Sequence, residues 1–181
     1  MEDLLSLARG PTQYVTSFSG YIVNGYRFHT EEREKNFITQ NSGVVVIGNT
    51  GQGDENIDYY GVLTDVLQLQ YLGGKRVVLF RCKWFDVYDK IRGIKMDEYH
   101  FVSINCKRQL NTNEPFILAS QANQAFYAID NVNKGWHVVL KSQPHSSYEM
   151  PSSDDTNAVS YQSEAHQDGQ QRSRKRGKGD I

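Results

Sequence analysis

"VVLFRCKWFDV", Val77–Val87, decides the fold of this chain. Side chains alternate across a strand, so Val78, Phe80, Cys82 and Trp84 point one way and Leu79, Arg81, Lys83 and Phe85 the other. The first set makes a core face. The second carries two cations and makes a partly wet face, where charges also keep a strand edge from pairing with other chains.

Working outward, "YYGVLTDVLQLQYLGGKR" precedes this strand. Val62, Leu63, Val66 and Leu67 would also line one face of a helix. Gly61, Thr64 and the Gly73-Gly74 pair favour a long strand with a bulge near Asp65 and a glycine turn into the next strand. Upstream, Asn24-Gly25 stands between two β-prone runs in "YVTSFSGYIVNGYRFHT" and suits the positive φ angles of a type I′ hairpin turn. "GVVVIG" is a short β-branched run bounded by glycines, a further strand, and residues 2–8 suit a short helix. Downstream, residues 98–106, 124–130 and 135–141 read as strands, and "PFILASQA" as a helical turn or bend.

These elements define a mainly β fold: a small antiparallel barrel of Src-homology-three-like type, or a curled sheet, preceded by a β-hairpin region. The polar, turn-rich "GNTGQGDENID" divides the chain, giving a region at 1–49, a β-rich domain at 50–145 and a tail at 146–181. The tail is rich in Ser, Gln and Asp and poor in branched apolar residues, a composition that favours disorder.

A chain of 181 residues with 38% hydrophobic content supports one domain with a real core. Its formal net charge of −1 conceals an acidic segment followed by a basic end. The two cysteines lack CxxC spacing, so a disulfide framework or zinc motif is not indicated, and a reducing compartment is. No apolar run reaches the length of a membrane span, and the N-terminus lacks a signal-peptide pattern.

Chemistry is sparse. Cys82, His100 and Cys106 offer soft donors but lack a fourth zinc ligand. Asp54, Asn56, Asp58 and Asp65 fall at calcium-loop spacing, yet Tyr59 occupies the glycine position and an Asp stands where the loop requires Glu. Gly48, Gly51 and Gly53 reverse the dinucleotide-binding spacing. Asp65, Asp86 and Asp97 are too scattered to suggest a metal-dependent nuclease. The expectation is a non-enzyme without cofactor or metal.

Two features suggest binding. Tyr59, Tyr60, Trp84, Phe85, Tyr99, Phe126, Tyr127 and Trp136 are core rings for the most part, with two or three left to make a pocket for a cation or peptide. In "RSRKRGK", Arg172, Arg174, Lys175, Arg176 and Lys178 make five of seven residues basic, a candidate for nuclear localisation or weak, nonspecific nucleic-acid binding.

"LARGP", "GYIVNGYRFHT", "QNSGVVV", "YYGVLTDVLQLQY", "VVLFRCKWFDV", "PFILASQANQAFYAID" and "GWHVVL" together resemble the accessory conserved regions of plant CACTA (En/Spm-type) transposon proteins, from about Leu4 to Lys141. The first part is similar to the end of one transposon-associated region, and the second to the domain of unknown function that follows it. The resemblance implies a mobile-element origin and a nuclear setting, with the cytoplasm as the alternative, and leaves open whether the chain is a functional protein or a truncated or degenerate copy. It carries no catalytic residue. The function expected is a non-catalytic interaction module with a protein partner and no membrane; the alternative is a DNA-binding accessory of transposition.

Overall fold

The computed structural model describes residues 7–35, 37–48 and 57–144, together with the backbone of Arg174 and Lys175. Residues 7–9 are helical, within the expected N-terminal helix and one residue beyond its end. The strands that follow are β1 (Tyr14–Phe18), β2 (Gly20–Val23), β3 (Tyr26–His29), β4 (Gly43–Ile47), β5 (Asp58–Gln70), β6 (Arg76–Trp84), β7 (Ile94–Met96), β8 (Val102–Asn105), β9 (Phe116–Leu118), β10 (Asn123–Ile129), β11 (Trp136–Lys141) and β12 (Arg174–Lys175). A single helical turn, α1 (Glu31–Glu34), is capped by Thr30, whose hydroxyl accepts from the Arg33 amide.

β5 organises the sheet. One of its edges pairs with β6 over Gly61–Gln70, so β4 and β1 succeed each other along the opposite edge, against Asp58–Val62 and Val66–Leu69. The register of β5 against β6 slips between Leu63 and Asp65, which places the bulge at Thr64. Gly73 and Gly74 turn the chain with φ values of 77° and 76°. Beyond β4 the order runs through β10, β11 and β8 to β7. Among the described residues every pairing is antiparallel.

Of the two expected forms, this is the curled sheet. Among the described residues no pair of full strands closes it into a barrel. The chain after β8 nevertheless returns to the end of β6: Leu110 N donates to Trp84 O, Asp86 N to Arg108 O, and Phe85 bridges to Gln109.

The β2–β3 hairpin turns at Asn24 (φ 53°) and Gly25 (φ 77°), the two left-handed positions of a type I′ turn. It brings Phe28 edge-on to Phe80 at 5.1 Å and Tyr21 at 6.2 Å. Gln124 donates to Arg27 O and Asn24 to Ser120 O, fastening the hairpin to the segment around β10.

Alternation along β4 explains why a run of three valines is needed. Val44 and Val46 pack with Phe28, Leu63, Val66, Phe80, Cys82 and Trp84, whereas Val45 packs with Tyr60, Phe85, Val87, Ile104, Tyr127 and Val139. The middle of the sheet is therefore covered on both faces. Phe85 departs from the wet-face expectation: β8, β10 and β11 curl over that side and bury it in the second core. Arg81 and Lys83 stay exposed, near Asp65 at 3.8 Å and Glu31 at 2.6 Å.

Other boundaries shift. The strand expected at 98–106 begins only at Val102, because Asp97 accepts from the amides of Tyr99 and Phe101 and closes a turn. "PFILASQA" divides into β9 and a 3₁₀ turn at Ala119–Gln121. Most of the linker at 48–58 and of the tail lies outside the described residues; within the tail, where disorder was expected, Arg174 and Lys175 form a two-residue strand opposite Val15 and Tyr14.

Candidate functional site

Two concave surfaces draw on the aromatic residues. The first, a cleft of about 260 Å³, is lined by Val46, Tyr59, Trp84, Tyr88, Leu110, Thr112, Glu114 and Ile117. β5 and β6 supply Tyr59 and Trp84. Gly61 makes room for the indole, since a Cβ there would stand 2.7 Å from the Trp84 ring. Tyr88 is set by a turn in which Asp86 accepts from the Tyr88 and Asp89 amides. The Tyr59 and Tyr88 rings meet at 6.2 Å and 69°, with their hydroxyls 2.6 Å apart. That hydrogen bond, followed by partial burial, raises the pKa of Tyr59, so its phenol is neutral near pH 7. Among the described residues Glu114 is the only charged one in the lining. It is exposed and has no ion-pair partner among the described residues.

The second is an open groove of about 720 Å³ across the β7, β8, β10 and β11 end, lined by Met96, Phe101, Ile129, Val132, Trp136 and neighbouring polar residues. Met96 is 66% exposed, Phe101 53%, Ile129 71% and Val132 88%. Lys95 Nζ stands 4.2 Å from the Trp136 ring centre. β7 forms the end of the sheet path.

Tyr60, Trp84, Phe85 and Tyr127 are core rings. Tyr127 is tied down by its hydroxyl, 2.7 Å from Gly61 O and 3.0 Å from Val44 O, and burial pushes its pKa up. Tyr59, Phe126 and Trp136 are half-buried, and Tyr99 is exposed.

The remaining candidates are not brought together. Cys82 lies in the first core and burial pushes its thiol up; Cys106 packs beside the second and is pushed up to about 11 by burial. His100 does not lie on a strand face: it occupies an exposed turn position with φ 65°. Among the described residues no group of three or more His, Cys, Asp or Glu is placed to hold a metal ion. Asp65 faces Arg81, Asp86 faces Arg108 at 3.9 Å, and Asp97 closes its turn, so each carboxylate has a structural contact. Asp58 pairs with Lys141 at 2.6 Å, while Asp54 and Asn56 lie outside the described residues. Arg172, Arg176 and Lys178 also lie outside them, as do the side chains of Arg174 and Lys175. No described helix is long and apolar enough to cross a membrane.

Fold and surface thus define a β-rich protein whose described residues form an aromatic cleft and an apolar groove. The family model of a domain of unknown function, DUF4216, matches residues 67–139, from the end of β5 into β11. That family is often found in plant transposon-related proteins. No curated protein and no solved structure matches the chain.

Proposed function

We propose that this protein is a non-catalytic interaction module derived from a plant CACTA-type transposon, acting through protein contacts in the nucleus. The observation that supports it most is the groove beside Trp136. Met96, Phe101, Ile129 and Val132 leave water-exposed apolar surface on one concavity, the kind of surface that marks a protein-binding site. A half-buried Trp beside them is the residue type that anchors interfaces. The family match supports the transposon connection, and the order of the quoted segments supports its CACTA assignment.

The DNA-binding alternative rests on the basic run from Arg172 to Lys178. If all five cations engage phosphates, binding falls with salt at a log-log slope of roughly −3.5 to −4.5 and shows little sequence preference. Affinity capture from plant nuclear extract, with and without nuclease, separates the two readings. Capture of the same proteins after nuclease treatment supports the protein-contact reading. Loss of all captured protein on nuclease treatment contradicts it and favours nucleic-acid bridging.

A further inference from the structure

The Tyr59–Trp84–Tyr88 cleft has the makings of a cation site. Aromatic faces attract a cation through the ring quadrupole, most strongly when the cation is weakly hydrated and partly withdrawn from water. Here two tyrosine rings meet steeply at 6.2 Å beside a buried indole. Apolar Val46, Leu110 and Ile117 line the same space, which suits methyl groups, and Glu114 brings a single negative charge. Among the described residues no lysine or arginine lines the cleft to compete for the rings. The contrast with Trp136 is direct, because that ring already has Lys95 over it.

We infer that this cleft binds a methylated ammonium group, specifically the trimethyllysine side chain of a protein. Its methyl groups meet the rings and aliphatic residues while Glu114 balances the charge. A phosphocholine headgroup offers the same ammonium, but its phosphate would meet a cleft whose described lining has an acidic residue and no basic one. The cleft shares no lining residue with the Trp136 groove, so the inference stands or falls separately from the proposed partner surface.

The test is an amide-resolved NMR titration of the full chain with N-acetyl-trimethyllysine amide, its uncharged tert-butyl isostere, and phosphocholine. The cationic amide is expected to shift resonances of Tyr59, Trp84, Tyr88 and Glu114 and to bind about tenfold more tightly than the neutral isostere. Phosphocholine is expected to bind more weakly than the cationic amide. Tyr88 and Glu114 are exposed, so Tyr88→Leu and Glu114→Gln are compatible with the fold, and the rest of the spectrum reports whether it is kept. Tyr88→Leu should weaken the cationic amide about fivefold, and Glu114→Gln should weaken it while leaving the isostere unchanged. Equal binding of amide and isostere, no shifts at these residues into the millimolar range, or preference for phosphocholine would overturn the inference.

Discussion

Two regions of the sheet use apolar residues in opposite ways. Around β5 and β6, Leu63, Val66 and Phe80 are fully buried, and the hairpin ring of Phe28 closes over them. At the β7–β8 end, Met96, Phe101, Ile129 and Val132 remain largely in water. Large side chains in the first region hold the fold together. Those in the second can change with little effect on the fold, which is what a surface available for binding requires.

The largest expected effect lies in the buried region. Phe80→Ala removes the ring that both Phe28 and Tyr21 meet, and should destabilise the protein by about 3–5 kcal/mol in urea unfolding. A loss below about 1 kcal/mol would mean that this core is not the organising one. Tyr127→Phe keeps the ring but removes the hydroxyl near the Gly61 and Val44 carbonyls, and should cost about 1–2 kcal/mol without altering the cooperativity of unfolding.

Alkaline pH gives a further comparison. Burial raises the pKa values of Cys106, Cys82, Tyr60 and Tyr127 in the folded state. A raised folded pKa means that the native state holds its proton more tightly than the unfolded chain. Its contribution is therefore complete below the unfolded pKa and is lost as pH rises through the folded value. Stability should decline above about pH 8.5, first through the cysteines. A flat stability profile from pH 8 to about pH 11 would contradict this assignment. The smallest effect is expected at the exposed end, where Met96→Glu with Val132→Glu should change stability by no more than about 0.5 kcal/mol per site.

Much of the fold was legible because its signals are local. Asn24-Gly25 specifies its turn through φ, Gly73-Gly74 joins two strands, and Thr64 beside Asp65 marks the bulge. The second core was not legible, since Phe85 is buried only by strands that return from far along the chain. Three-residue β7 was too short to produce a periodic signal, and the Asp97 turn displaced the expected start of β8. The aromatic list anticipated a pocket but could not bring Tyr59 and Trp84 to Tyr88 and Glu114, which come from separate segments. The Trp136 groove was hidden for the same reason: alternation separates a core face from a wet one, but does not show that residues near 96–101 and 129–136 share a surface.

We propose that the exposed apolar end binds protein. The most direct test compares wild-type protein with Met96→Glu/Val132→Glu in affinity capture from nuclease-treated plant nuclear extract, after matched unfolding curves have shown that both are folded. The wild type is expected to capture a protein that the double variant depletes about tenfold or more and that Tyr88→Leu leaves unaffected. Equal capture by wild type and double variant would contradict it.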